Sequence, residues 1–159
     1  MTERGLTHVD ASGAARMVDV GDKAVTHRTA TATGLVAVSA EVVALLRGAG
    51  VPKGDALAVA RVAGIMAAKR TPDLVPLCHP IAISGVTVDL EVTDEGVEVC
   101  ATVRTTDRTG VEMEALTAVA VAGLTLVDMV KAVDPAATIT GVLVLEKTGG
   151  SSGDWRRPG

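Results

Sequence analysis

The feature that most constrains this fold is an uncharged run over residues 115–127, in which the side chains are small or aliphatic. It is longer than ordinary strands and rich in Ala, Leu and Val, so the sequence predicts one long helix over residues 110–132. Ala118, Ala122 and Gly123 would allow another element to approach closely. Because a helix that is apolar all round must be covered on every side, we expect it in a packed core or at an oligomer interface.

Both ends of this predicted helix carry ionisable groups. Asp128 and Lys131 are three residues apart, so they share a face and form either a surface ion pair or a partly buried acid/base pair. Glu114 lies about 21 Å from Asp128 along the axis, too far for both to contact one reacting atom. If both belong to a site, they hold opposite ends of an extended ligand or join pockets completed by another subunit.

The remaining patterns predict an α+β fold. A Thr-rich strand over residues 24–38 is followed by two helices, 40–47 and 56–70, the first capped by Ser39. Strict alternation then predicts a hairpin around residues 94–96, and a strand over 139–147 with an apolar run, 142–145, suggests burial on both faces. This order matches a ferredoxin-like split βαβ with an additional helix, that is, an antiparallel sheet with helices on one face.

The same reading divides the chain into three parts. Residues 1–22 are predicted to form an irregular or mobile arm, residues 23–148 a single catalytic domain, and residues 149–159 a Gly-rich tail.

Composition excludes several classes of partner. The net charge is −4 and aromatic residues make up 1% of the chain, which argues against nucleic acid, whose recognition uses basic surfaces and base stacking. No run is judged long enough to cross a bilayer, and the N-terminus lacks the apolar core of a secretory signal. Two distant cysteines suggest neither a zinc motif nor a disulfide framework. We therefore expect a cytoplasmic protein.

The most site-like loop is residues 77–80, which reads Leu-Cys-His-Pro. Cys78 and His79 form either a nucleophile pair or an ordinary loop histidine beside a buried thiol, and adjacent side chains usually diverge. Lys53, Lys131 and Lys147 are surface cations when taken singly. Two lysines beside one phosphate-bearing ligand would stabilise its charge and lower each other's pKa.

Seven segments in order resemble the MoaC family: LTHVD (6–10), MVDV (17–20), KGD (53–55), AGIMAAKRT (63–71), LCHP (77–80), GVEMEALTAV (110–119) and DMVK (128–131). The resemblance runs from about residue 6 to 155. It implies a ferredoxin-like fold with an added helix, assembled as a homohexamer of three dimers with sites at the dimer interface. It also implies conversion of cyclised dihydro-GTP, made by a radical S-adenosylmethionine enzyme, into cyclic pyranopterin monophosphate in molybdenum cofactor biosynthesis, releasing pyrophosphate. That upstream enzyme is a candidate docking partner, and the chemistry that the resemblance implies requires no metal.

The resemblance also assigns site residues. The catalytic positions are Lys53, Lys131, Asp128 and Arg28. The substrate-binding positions are Leu77, Cys78, His79, Met113 and Glu114, with Glu112 beside them and Lys147, Asp19 and Lys23 as weaker matches. Two alternatives stay open: a catalytically silent homologue that binds a nucleotide or pterin, and an assembly subunit, which would not need this residue set.

Overall fold

The computed structural model describes residues 5–48 and 56–159. Along the chain the helices and strands are β1 (Thr26–Ala37), α1 (Ala40–Arg47), α2 (Ala56–Lys69), α3 (Thr71–Leu74), β2 (Ile83–Thr93), β3 (Gly96–Asp107), α4 (Glu112–Val130), β4 (Thr138–Thr148) and β5 (Trp155–Arg156).

The strands form one sheet in the order β2-β3-β1-β4-β5, and all neighbouring strands are antiparallel. β1 is central and pairs with β3 without interruption, from Thr26 opposite Asp107 to Ala37 opposite Gly96. Successive side chains of β1 point to opposite faces of the sheet. Ala30, Ala32 and Val36 are buried on the core face, and the threonines between them lie on the opposite face. The predicted ferredoxin-like α+β fold is confirmed.

The helices pack on one face of this sheet. α4 lies against β1, β3 and β4, and α2 packs beside it over β2. Glycines allow the close approach: a Cβ on Gly34 of β1 would lie 2.9 Å from the Val119 side chain, and one on Gly64 of α2 would lie 2.9 Å from the Ala118 carbonyl oxygen. Val119 and Leu126 are fully buried, each worth roughly 2 kcal/mol of apolar burial. The core therefore fixes α4 and both of its ends relative to the sheet.

The structure corrects one prediction about burial and adds one short helix that was not predicted. Residues 142–145 of β4 are half-buried or exposed, because within one chain the helices cover only part of this strand. A short helix, α3, directly follows α2 and was not predicted; Thr71 donates back to the Ala67 and Ala68 carbonyls, and Pro72 suits a helix start. Leu124 of α4 is 60% exposed in the single chain, so the expectation that an oligomer interface covers part of this helix stays a prediction.

The prediction that no segment is long enough to span a membrane is wrong for α4. α4 has 19 residues and contains an 18-residue window with a mean hydropathy of 1.7, so it is long and apolar enough by length and composition alone, a test that core helices also pass. Here it packs against α2 and three strands.

The segments before β1 and after β4 fold back onto the domain. The arm turns at Asp10, whose carboxylate accepts bonds from Ser12 and Ala14, and an isolated bridge joins Val9 to Ala15. After β4 the chain turns through Gly149, and the Arg157 amide donates to the Leu145 carbonyl while β5 pairs with β4. The three-part division of the chain stays a prediction.

Candidate functional site

Two cavities share a wall at the start of α4. The larger, about 600 Å³, lies between the arm, the loop after α3, the first turn of α4 and the end of β4. We call it the base cavity. Its lining residues are His8, Leu77, Cys78, His79, Ile81, Thr109, Gly110, Glu112, Met113, Glu114, Val144, Lys147 and Trp155.

The carboxyl group of Glu114 is the most unusual chemical group in the base cavity. The residue is only 2% exposed. Burial raises the pKa of Glu114 to about 7; its own backbone amide opposes the shift, and the neighbouring charge of Glu112 adds to it. A carboxyl group that titrates near neutral pH can both donate and accept a proton.

Cys78 lies in the same cavity in the half-buried loop that precedes β2. Burial raises the pKa of the Cys78 thiol above its ordinary value of 9.0, and the charge of Glu114 raises it further. The thiol therefore stays protonated near neutral pH. This favours Cys78 as a neutral group that lines the cavity over the alternative of a Cys-His nucleophile pair.

The second cavity, about 350 Å³, contains three cationic residues, Lys23, Arg28 and Lys147. We call it the cationic cavity. Its walls also include hydroxyl groups and the backbone of the turn after β4. The other lining residues are Thr7, Thr29, Thr109, Gly110, Val111, Glu112, Thr148, Gly149, Ser151 and Ser152.

The guanidinium group of Arg28 is held from several sides. Its Nε donates to the Asp107 carbonyl and its Nη2 to the Arg108 carbonyl, both at 3.1 Å. Gly150 packs so close that an added Cβ would lie 2.2 Å from Nη1. Gly150 has φ +82°, a left-handed conformation that glycine adopts readily. The turn therefore covers Arg28 because residue 150 has no side chain.

One ion pair stands in the wall shared by the two cavities. Lys147 Nζ lies 3.0 Å from Glu112 Oε1, and the two side chains are 29% and 25% exposed. Lys147 also donates to the Ser152 hydroxyl at 3.2 Å. Both residues line both cavities, so the pair connects the two halves of the site.

The structure brings together most of the predicted site residues but not all of them. Arg28 and Lys23 lie in the cationic cavity, and the 77–79 loop, Met113 and Glu114 lie in the base cavity. Asp19 is exposed, accepts a bond from the Gly21 amide and lines neither cavity. Lys53 lies outside the described residues.

Asp128 and Lys131 lie at the opposite end of α4 and line neither cavity. They form an ion pair, and their side chains are 70% and 64% exposed. Of the two alternatives for this pair, the single chain shows the surface ion pair. The prediction that each end of α4 serves a different pocket is compatible with this placement and stays a prediction.

Sequence reasoning assigned no role to six of the residues that line the base cavity, among them His8 and Trp155. His8 belongs to one of the recognised motifs, which was a signal that it lies near the site. Trp155 is the single tryptophan of the chain and lies in the predicted tail, where only its rarity marked it. Both come from segments distant in sequence that the fold brings to the start of α4.

Residues 5–48 and 56–159 contain no group of three or more His, Cys, Asp or Glu side chains placed to hold a metal ion. The lining of the two cavities instead offers charged groups, hydroxyl groups and backbone atoms for contacts with an organic anion.

Comparison with known proteins gives a consistent result. The MoaC family model matches residues 17–150. Cyclic pyranopterin monophosphate synthase of Nocardioides sp. is 73% identical over 98% of this chain and 97% of its own length. The Streptomyces avermitilis protein of that name is 72% identical over 96% of this chain and 89% of its own. Cyclic pyranopterin monophosphate synthase 2 of Mycobacterium tuberculosis is 63% identical over 96% and 91%. This chain therefore belongs to the MoaC family.

Proposed function

We propose that this protein is a cyclic pyranopterin monophosphate synthase of molybdenum cofactor biosynthesis. It converts cyclised dihydro-GTP into cyclic pyranopterin monophosphate and releases pyrophosphate, which makes it a phosphorus-oxygen lyase. We place this reaction in the cytoplasm. The names and high identity of its relatives support the reaction. The observation that supports it most in the structure is the pair of adjoining cavities, one with a buried carboxyl group and one with three cations.

The base cavity suits the ring end of such a substrate. Its volume is typical of small-molecule sites. Rebuilding a purine into a pterin requires proton transfers at ring nitrogens and carbons. Glu114, with a pKa of about 7, can both donate and accept a proton in these transfers. Glu112 accepts hydrogen bonds from ring N–H groups, and His79 and Met113 complete the contact surface.

The cationic cavity suits the phosphate end. Closing a cyclic phosphate expels pyrophosphate, so negative charge develops on the leaving group in the transition state. Arg28 is preorganised by its two carbonyl bonds, and Lys147 and Lys23 add positive charge nearby. Fixed cations of this kind stabilise developing charge without reorganising.

The site is completed by a partner subunit in this proposal. Asp128 and Lys131 are exposed at the far end of α4, and Asp128 lies about 21 Å from Glu114 by helix rise. We place them in the site of a neighbouring chain within a homohexamer built as a trimer of dimers. Lys53, the other proposed catalytic lysine, completes the set, and the radical S-adenosylmethionine enzyme that makes the substrate is a candidate docking partner.

The test is pyrophosphate release from the authentic cyclised precursor. Single Ala substitutions of Lys53, Asp128 and Lys131 are each expected to lower turnover by at least about 100-fold, a loss typical of removing an acid/base or charge-stabilising group. Arg47→Ala is the matched control, because Arg47 forms another exposed ion pair, with Asp94, away from both cavities. Full turnover in all three variants, or no turnover by the wild type, contradicts the proposal.

A further inference from the structure

The Glu112–Lys147 ion pair stands out from the other ion pairs among the described residues. The remaining three are surface pairs, in each of which at least one side chain is 64% or more exposed. Glu112 and Lys147 are each less than a third exposed. Partial desolvation strengthens their attraction and makes either charge costly to leave alone.

The position of the pair matters as much as its burial. Lys147 is one of the three cations of the cationic cavity, while Glu112 is an acceptor at the edge of the base cavity. The Glu112 carboxylate folds over Gly110, where an added Cβ would lie 2.0 Å from Oε2. The pair therefore lies on the boundary between the two cavities.

An anion in the cationic cavity competes with Glu112 for Lys147. If Lys147 turns to the anion, the Glu112 carboxylate loses its partner in a partly desolvated place and needs new donors. A ring that presents N–H groups from the base cavity, as guanine does with its adjacent N1–H and N2–H₂ donors, can supply them. Phosphate binding to Lys147 thereby frees Glu112 to accept from the ring. Ring binding in turn supplies the donors that Glu112 loses when Lys147 turns to the phosphate.

We propose that Glu112 and Lys147 act as an exchangeable ion pair that couples the two cavities, so that phosphate binding and ring binding strengthen each other. In the empty site the two charges neutralise one another. In the occupied site Lys147 binds phosphate and Glu112 binds the ring. This inference rests on the proposed function in taking the two cavities as the two ends of one ligand.

The first test measures pyrophosphate affinity by calorimetry. Glu112→Gln frees Lys147 and is expected to bind pyrophosphate about three- to tenfold more tightly than the wild type, the range of one partly exposed ion pair. Lys147→Met is expected to bind at least about tenfold more weakly, since it removes a charged donor.

Two further variants make this test specific. Gly110→Ala keeps both charges but displaces the Glu112 carboxylate, the flexible end of a side chain, so it is expected to raise pyrophosphate affinity in the same direction. Asp94→Asn also removes one negative charge, but from an exposed pair outside both cavities, and controls for net charge. Pyrophosphate affinity that is the same in the wild type, Glu112→Gln and Gly110→Ala overturns the proposal.

The second test measures the coupling itself. Trp155, the single tryptophan, lines the base cavity, so its fluorescence reports guanosine binding there. Saturating pyrophosphate is expected to tighten guanosine binding at least about threefold in the wild type, and by linkage guanosine tightens pyrophosphate binding by the same factor. In Glu112→Gln this coupling is expected to vanish. Guanosine affinity that is independent of pyrophosphate in the wild type overturns the proposal.

These outcomes separate the inference from the proposed function. Turnover of the precursor without coupling rejects the ion-pair exchange and leaves the enzyme assignment in place. Coupling without turnover supports the exchange and rejects the assignment.

Discussion

Glu114 is a buried carboxyl group whose raised pKa follows from its burial. An ionised carboxylate is costly to bury, and this group lies in the first turn of α4 with almost no exposed surface. Its pKa of about 7 places the change of charge where an enzyme can use it. The same shift links the stability of the fold to pH.

Glu114→Gln is expected to change how stability depends on pH. Because the folded pKa of about 7 lies above the ordinary value of 4.5, the wild type is favoured most below pH 4.5 and loses this stabilisation as pH rises through 7. Between pH 5 and 8 the wild type should lose roughly 2 kcal/mol relative to the Gln variant. Urea denaturation across this range measures it. Parallel stability profiles would show that burial does not shift this group.

Arg28→Lys tests the importance of guanidinium geometry. An ammonium group carries all its donors on one nitrogen, so it cannot reproduce the separate Nε and Nη2 positions that bond the Asp107 and Arg108 carbonyls. We expect pyrophosphate affinity to fall about tenfold, with less than about 1 kcal/mol lost in stability. Calorimetry and denaturation measure the two effects. Arg47→Lys, on the surface, is the control, and wild-type affinity in Arg28→Lys would show that charge alone is enough.

At the scale of elements, the α2–α4 contact decides where the site lies. α4 positions Glu112, Met113 and Glu114 at one end and Asp128 at the other. Gly64 on α2 faces the α4 backbone, and Gly123 on α4 faces the Ile139 side chain on β4. The two glycines lie in similar helices but meet different neighbours, which makes them a matched pair.

Gly64→Ala is expected to destabilise the protein by about 1–3 kcal/mol, because its Cβ would meet the rigid Ala118 carbonyl at 2.9 Å. Gly123→Ala meets side-chain atoms at 3.3 Å or more and gains helix propensity, so we expect it to be neutral or stabilising by up to about 1 kcal/mol. Thermal denaturation compares them. Equal effects of the two substitutions would refute close backbone packing as the cause.

At the scale of the whole molecule, one chain leaves apolar surface exposed on its helices. Val59, Val62 and Met66 of α2 line an open apolar groove and are about half exposed, as is Leu124 of α4. Exposed apolar patches of this kind are typical of assembly surfaces. They support the proposed homohexamer, in which a neighbour also brings Asp128 and Lys131 to the site.

Val62→Lys tests whether the α2 groove is used in assembly. A buried charge at an apolar interface is costly, so we expect smaller particles than a hexamer with unchanged helix content. Light scattering after gel filtration measures the mass, and circular dichroism measures the fold. Ala44→Lys on the exposed side of α1 is the control. A monomeric wild type would contradict the shared-site proposal, and a hexameric Val62→Lys would place the interface elsewhere.

Much of the fold follows from local patterns. Alternation predicted the β2–β3 hairpin, Ser39 predicted the start of α1, and the apolar run predicted α4 to within two residues at each end. These features were predictable because they depend on backbone preferences and on side chains near in sequence. The half-buried state of residues 142–145 was not predictable in this way, since it depends on how far the helices extend over β4.

The sequence by itself determined the main helices and strands, their order and, through its motifs, the family. Only the tertiary structure decided which charged groups from distant segments meet. Lys147 pairs with Glu112 because the register of β4 on β1, Lys147 opposite Ala30, brings the end of β4 to the first turn of α4. His8 and Trp155 reach the same cavity from opposite ends of the chain. Such contacts depend on strand register and packing between distant segments, which no local pattern encodes.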